Sequence, residues 1–322
     1  MSNAVGKLDI VLATYNGAKY LSEQLNSILM MDCFDELVNS IIVCDDNSSD
    51  NTLDIIKEII PINKLVLIKN EQGKPYGPAK NFERGIALST SEYIMLSDQD
   101  DVWGKNKLVR YLEVAGKCDS GIPLIVFSDL EIVDANLNTI DKSFLNYQSI
   151  NSDWINKLDH LLIQNLAPGC TMLFNKKLIE KSLPFPDDCL MHDWWLMLVC
   201  KLYGNIRFIE KETFIKYRQH GNNQVGAKRN NFLVVFAKFK KSFEIAKVNY
   251  HRTVKQMLDF KRRFNDDIPE ENIKFINALA LYLSPDISSA QRLYAALTVK
   301  LRKSSFLKTL GTYFVIFKGL GR

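Results

Sequence analysis

The chain has 322 residues and a formal net charge of +4, and its 47% hydrophobic and 24% charged side chains exclude a disordered or collagen-like chain. This length accommodates one large domain, or one domain with an appendage. The six cysteines (Cys33, Cys44, Cys118, Cys170, Cys189, Cys200) include no C-x-x-C pair, and several sit in apolar runs, so reduced thiols are expected and a disulfide framework is not.

The opening residues, Met1 to Lys7, lack the apolar core of a signal peptide, so none is expected and a cytoplasmic location follows. From Leu8 the chain alternates short apolar runs with helical patterns: LDIVLAT, a helix from about Lys19 to Met30, SIIVC, and a helix from Thr52 to Ile60. KLVLIKN, a helix around Asn81 to Leu88, EYIMLS and a helix from about Lys105 to Ala115 continue the series. Such a βαβα series predicts a doubly wound α/β sheet, whose ligands gather beyond the carboxyl ends of its strands. After PLIVFSDLEIVD the pattern loosens into an amphipathic stretch (Trp154 to Gln164), the run CTMLF, a helix from Trp194 to Leu202, and two strand-like runs, IRFIE and TFIKYR. Mixed sheet is expected there.

From Asn231 the pattern is almost wholly helical, with Phe232, Val235, Phe236 and Phe239 at helix spacing. Residues 1–225 carry 22 basic against 30 acidic side chains and residues 226–322 carry 19 against 7, so an acidic domain (1–225) and a basic helical region (226–322) are expected. Phe306, Leu307, Leu310, Phe314 and Phe317 mark another apolar face, but Lys308 and Lys318 interrupt it, and the run from Phe306 to Leu320 is short of the roughly 20 residues of a membrane span. A basic amphipathic region of this kind suits peripheral contact with an anionic membrane, or an oligomer formed through these helices. No nucleic-acid-binding motif is present.

The polar residues cluster where strands end. TYNG (Thr14 to Gly17) follows the first strand and DDNSSD (Asp45 to Asp50) the second. The latter reads either as a helix N-cap or as a carboxylate accepting from a nucleobase imide, with Tyr15 packed on the base. SDQDD (Ser97 to Asp101) follows the fourth strand, and three carboxylates in four residues repel one another unless a cation compensates. Mg²⁺ or Mn²⁺ held by one or two carboxylates and substrate phosphate oxygens fits that pattern. A G-x-G-x-x-G fingerprint is absent, which argues against a dinucleotide dehydrogenase.

TYNG, DDNSSD and SDQDD, in this order and at these strands, resemble the family 2 glycosyltransferases over about residues 8–225. The resemblance implies a GT-A fold with a Rossmann-like mixed sheet, a nucleotide-diphosphate sugar donor, and inverting transfer. It places nucleotide-sugar binding at Thr14, Tyr15, Asn16 and Asp46, and metal–diphosphate binding at Asp98 and Asp100. Lys80 and Asn81, in GPAKNF, resemble the basic residue and the amide that face the nucleotide in the stretch before the metal strand. Met191-His192-Asp193-Trp194-Trp195 resembles the family's acidic dipeptide before tryptophan, which makes Asp193 the general base; His192 stands where Glu is more usual. Gly169, in APGCT, and Trp194 fall on the acceptor side. The segment YRQHGNN resembles one in the rhamnosyltransferase-like branch and suggests Arg218 for the diphosphate and His220 as a metal ligand. The implied reaction moves L-rhamnose from dTDP-L-rhamnose to a hydroxyl of a saccharide or lipid-linked acceptor in bacterial surface polysaccharide assembly. A UDP-hexose donor and a non-catalytic saccharide-binding protein with the same fold are the alternatives.

Overall fold

The computed structural model describes residues 7–220 and 239–319. The first part begins with β1 (Leu8–Thr14), α1 (Ala18–Leu29), α2 (Phe34–Leu37), β2 (Val38–Asp45), α3 (Thr52–Ile59), β3 (Leu65–Lys69), α4 (Pro78–Leu88) and β4 (Tyr93–Ser97). It continues as β5 (Val102–Trp103), α5 (Lys107–Ala115), β6 (Leu124–Val133), β7 (Thr139–Asp141), α6 (Phe144–Gln148), α7 (Leu158–Ile163), β8 (Met172–Asn175), α8 (Lys176–Ser182), α9 (His192–Tyr203) and β9 (Asn205–Arg218). The second part holds α10 (Phe239–Phe264), α11 (Glu270–Ala280), α12 (Ser289–Thr298) and α13 (Phe306–Lys318).

The strands form one mixed sheet in the order β3-β2-β1-β4-β8-β6-β9-β5, with β7 paired to β6. β3, β2, β1 and β4 run parallel, and six of the seven residues of LDIVLAT are buried because helices cover both faces of a central parallel strand. Thr14 lies beside Asp45, and Leu12 beside Ser97, so β1, β2 and β4 end at one level. The chain leaves β1 toward β2 on one side and returns as β4 on the other, which makes their ends the topological switch point where α/β sheets bind ligands. On α1, Leu21, Gln24, Leu25 and Ile28 form the buried stripe, and Gln24 donates to Ser97 Oγ at 2.7 Å, tying the helix to the end of β4.

At the opposite end of β1, Asp9 is 1% exposed. Its carboxylate accepts from the side chains of Asn39, Ser40 and Ser89 and from the Thr90 and Ser91 N–H groups. Burial pushes this carboxyl up, but the donors, led by Ser89 and Ser40, prevail and hold it below 3.8.

Two expectations change. IRFIE and TFIKYR form one strand, β9, and its pairing with β6 slips between Ser128–Ile209 and Asp129–Thr213; the extra residues bulge out around Lys211 at φ +64°. The stretch from Trp154 to Gln164 breaks into a 3₁₀ turn (Ser152–Asn156) and α7, because Lys157 between them is extended.

The chain divides into two compact units. The first comprises Met1–Leu145, Ala167–Phe185 and Met191–Ala227, and the second comprises Asn146–Leu166, Pro186–Leu190 and Lys228–Arg322. Two segments from within residues 1–225 thus belong with the C-terminal helices, since α7 is too short to bury Leu158, Leu161 and Leu162 by itself. The expected boundary at 225/226, the apolar residues Phe232, Val235 and Phe236, and the side chain of Phe239 lie outside the described residues. In the second unit Tyr250, Val254, Met257 and Phe260 recur at helix spacing as the buried stripe of α10. No helix among the described residues is long and apolar enough to cross a membrane.

Candidate active site

The loops that leave β1, β2 and β4 are stitched together by side chains. Asn16 turns the first loop at φ +49°, a conformation asparagine tolerates. Its N–H donates to Ser48 Oγ at 2.9 Å, its Oδ1 accepts from Ser49 N–H at 2.8 Å, and Gly17 N–H donates to Thr52 Oγ1 at 2.8 Å. Gln99, in the loop after β4, accepts from Tyr15 N–H at 2.8 Å and donates to the Tyr15 carbonyl at 3.1 Å. A Cβ on Gly17 would lie 2.2 Å from Gln99 Oε1, so a larger residue there would push the Gln99 carboxamide off its Tyr15 partners.

The residues expected at the nucleotide separate into two groups. Tyr15, 44% exposed, and Asn16 are open to a ligand. Thr14 is buried and donates to Asp45 Oδ2 at 2.8 Å. Asp46 is buried too, and its carboxylate accepts from Asn70 Nδ2 and from the Tyr76 and Gly77 N–H groups, which shapes the loop leading into α4. Both residues brace the crevice from behind. Asn81 donates to the Cys44 carbonyl at 2.6 Å and holds α4 on β2, while Lys80 turns to Glu83 at 2.7 Å with its side chain 55% exposed. The structure therefore gives Lys80 and Asn81 partners other than the nucleotide expected for them.

The acidic loop after β4 is the electrostatic centre. Burial and the charges of Asp100 and Asp193 push Asp98 up to about 7, and burial with Asp100 and Asp98 pushes Asp101 well up. Burial raises Asp100 as well, against the hydrogen bond from His220, whose Nε2 lies 2.7 Å from Asp100 Oδ2. Asp98, Asp101 and Cys170 Sγ present ligand atoms within 4.8 Å of one another. The Cys170 thiol is itself pushed well up by burial and stays neutral, so the available donors are carboxylate oxygens, the set a hard divalent cation prefers. Carboxylates that repel their own charge fit Mg²⁺ or Mn²⁺. Asp98, Asp100 and His220 were expected around the ion; Asp101 joins the cluster from the buried side.

Two cations stabilise this loop from within. Lys107, on α5, is fully buried, donates to the Cys170 carbonyl at 2.8 Å and stands 3.1 Å from the Trp103 ring centroid. Burial pushes its ammonium down to about 7 against the pull of Asp101 and Asp98. The sequence does carry a signal for it, since Lys107 starts the stripe Lys107, Leu108, Tyr111, Ala115 that α5 buries. Arg218 is 2% exposed, and its guanidinium points inward, donating to the Asp100 carbonyl at 2.9 Å, to the Ala135 carbonyl at 2.7 Å and to the Glu23 carboxylate. The diphosphate contact expected of Arg218 is replaced by this clamp on the acidic loop. Tyr217 also enters the picture unforeseen: burial and the charges of Asp98 and Asp101 push its phenol well up.

Asp193 sits in the first turn of α9, 4% exposed, and accepts from Gly169 N–H at 3.0 Å and from its own neighbour Trp194 N–H at 2.6 Å. These bonds fix the carboxylate, and its charge is felt by Asp98. His192 is buried with its ring centroid 4.0 Å from that of Phe82, and burial pushes it down to about 3, so it is a neutral ring. A Cβ on Gly169 would meet His192 Nε2 at 2.6 Å, which is why this loop needs glycine. Trp194 is buried, 8% exposed. Gly169 and Trp194 thus hold the same carboxylate, each donating its backbone N–H to Asp193.

Comparison with known proteins bears on the family and the fold. The model of the family described as Glycosyl transferase family 2 matches residues 9–180. A dTDP-rhamnosyl transferase, RfbG of Shigella flexneri, is 30% identical over 236 residues, covering 67% of this chain and 74% of that protein. Among solved structures, TarS 1–349 of S. aureus in complex with UDP-GlcNAc superposes with a TM-score of 0.57 at 15% identity, over 97% of this chain and 91% of that one. The mannosyltransferase PcManGT of Pyrobaculum calidifontis, in complex with GDP-Man and Mn²⁺, gives a TM-score of 0.56 at 14% identity, over 97% and 85%. At these identities the two structures speak for the fold.

Proposed function

The chain belongs to glycosyl transferase family 2, a glycosyltransferase of nucleotide-sugar donors with the GT-A fold, and from there we propose that it transfers L-rhamnose from dTDP-L-rhamnose. The acceptor is a hydroxyl of a saccharide or lipid-linked saccharide of a bacterial surface polysaccharide, met at the inner face of the cell membrane. The rhamnose assignment is supported by the 30% identity to a dTDP-rhamnosyl transferase. The observation that carries the chemistry is that the acidic loop after β4 and a fixed carboxylate, Asp193, fall close enough for their charges to interact in one unit.

In this reading Tyr15 and Asn16 receive the nucleotide, with Thr14 and Asp46 holding the walls behind them. Asp98 and Asp100, with Asp101 and His220, would hold a divalent cation. When bound, such a cation supplies Lewis-acid stabilisation of the charge that develops on the departing diphosphate. Asp193 takes the proton of the acceptor hydroxyl as its oxygen bonds to the anomeric carbon from the face opposite the diphosphate, and the bond between that carbon and the phosphate oxygen breaks with inversion. The Gly169 and Trp194 N–H groups keep the carboxylate oriented. Lys107 and Arg218 hold the loop rigid, so its carboxylates do not splay apart.

The test is donor turnover by the full chain with Mn²⁺ and dTDP-L-rhamnose, UDP-glucose, UDP-GlcNAc or GDP-mannose. dTDP-L-rhamnose should lead in kcat/KM by about tenfold or more, the scale of pocket discrimination. A faster UDP-hexose would overturn the donor, and no turnover of any donor would favour a saccharide-binding role.

A further inference from the structure

The second unit contains a cleft that catalysis does not use. It opens where α12 passes into α13, has a volume of about 520 Å³, and counts Lys300, Arg302 and Lys303 among its walls with no Asp or Glu. That volume is in the range of small-ligand sites. Trp154, stacked on His160 with centroids 4.1 Å apart, forms part of the wall. Ser305 caps α13 by accepting from Lys308 N–H, so the positive end of that helix faces the same region.

Lys303 is the most telling of these residues. Burial and the neighbouring Lys308 push its ammonium down to about 8, and no acid among the described residues offsets either effect. Lys308 cannot swing away, because it donates to the Gln148 carbonyl at 3.1 Å, to Gln148 Oε1 at 3.2 Å and to Ser304 Oγ at 3.0 Å. Ammonium groups gathered in a cleft without a counter-ion are unfavourable until an anion enters.

The rim adds a second chemistry. Leu297, 52% exposed, and Phe306, 79% exposed, line the cleft and also belong to an exposed apolar surface. Phe306, Leu310 and Phe317 are spaced to share one face of α13 and are exposed, while Phe314 beside them packs against Phe243 of α10 with ring centroids 5.3 Å apart; the side chains this helix buries are Thr312, Val315 and Ile316. Cations beside a projecting apolar face match a lipid with an anionic headgroup better than they match a wholly polar ligand.

We propose that this cleft holds the phosphate of an anionic membrane lipid while the exposed face of α13 lies among the acyl chains. The proposal deepens the peripheral-membrane part of the reading above and rests on it. The test is co-sedimentation of the full chain with vesicles of phosphatidylcholine alone or mixed with phosphatidylglycerol, beside calorimetry with inorganic pyrophosphate. Wild type should bind only the mixed vesicles. Lys300→Gln with Lys303→Gln should weaken that binding about tenfold or more, on the scale of two basic contacts at a charged surface. Lys247→Gln with Arg252→Gln, which removes the same charge from α10, should change it by less than about twofold, and Phe306→Ser with Leu310→Ser should weaken it as well. Donor turnover in lipid-free buffer should be unchanged in every variant, and the Lys300/Lys303 variant should melt no lower than wild type.

Equal losses in the two charge-removing pairs would mean diffuse attraction and overturn the cleft as a site. Vesicle binding fully retained by the Lys300/Lys303 variant would overturn the proposal alone, whereas absent binding by wild type would overturn the peripheral reading with it. Pyrophosphate binding lost in that variant, without vesicle binding by wild type, would make the ligand a soluble anion and overturn the lipid assignment.

Discussion

Asp193→Asn separates chemistry from architecture, and its size follows from two hydrogen bonds. Both carboxylate oxygens accept from backbone N–H groups, those of Gly169 and Trp194. Asparagine offers one acceptor oxygen and one NH₂ group, so one of these N–H donors must face another donor. At 4% exposure water does not replace the lost acceptor. An orphaned buried donor costs about 1–3 kcal/mol, which leaves a domain of ordinary stability, about 5–15 kcal/mol, almost wholly folded at 25 °C. Loss of the general base should lower transfer by about 10²–10⁴-fold. The assay is single-turnover transfer of labelled sugar, with dTDP affinity measured by calorimetry and stability by thermal melt. The expected outcome is a melt lowered by several degrees, dTDP affinity changed by less than about twofold, and transfer reduced at least about a hundredfold. A variant that melts lower yet transfers within about tenfold of wild type would show that Asp193 is only a brace for the Gly169 loop.

Chelation with EDTA should abolish transfer, and Asp100→Ala should remove the Mn²⁺-dependent thermal stabilisation by dTDP; an unchanged shift would remove Asp100 from the metal site. Lys107→Met keeps the aliphatic packing over Trp103 but leaves the Cys170 carbonyl without its buried donor, so urea unfolding should show a loss of about 1–3 kcal/mol. A loss well under about 1 kcal/mol would mean that this bond does not hold the loop. Asp9, held below 3.8 in the folded chain, contributes stability that is fully present above that value and is lost as pH falls through the lower folded value. The stability gap between wild type and Asp9→Asn, expected at about 1.5–3 kcal/mol at neutral pH, should therefore close in strong acid, and a gap independent of pH would refute the carboxylate's role.

The parallel half of the sheet was readable because each strand is a run of apolar residues and each helix repeats at its own period, so β1 to β4 fall within a few residues of expectation. β5 was not readable: two residues, Val102 and Trp103, carry no periodic signal, and their pairing with β9 is set by a partner far along the chain. The acidic loop and Asp193 stood out because acids at strand and helix ends are chemically conspicuous. The direction of a side chain is not written in its type. Arg218 and Asp46 have the chemistry of ligand contacts, yet the fold aims the first at the Asp100 carbonyl and the second at the Tyr76 and Gly77 amides. Lys107 illustrates the converse, a residue that resembles surface charge until its place on the buried stripe of α5 is noticed.

The reciprocal bonds between Gln99 and Tyr15 have an evolutionary consequence. The loops beyond β1 and β4 are joined here through one carboxamide side chain, whose two hydrogen bonds both go to the Tyr15 backbone. A shorter or longer residue at position 99 would retune the width of the crevice while the framework anchored by Asp9 at the far end stays as it is. Selection among donors of different girth could thus proceed through a single codon without endangering the fold.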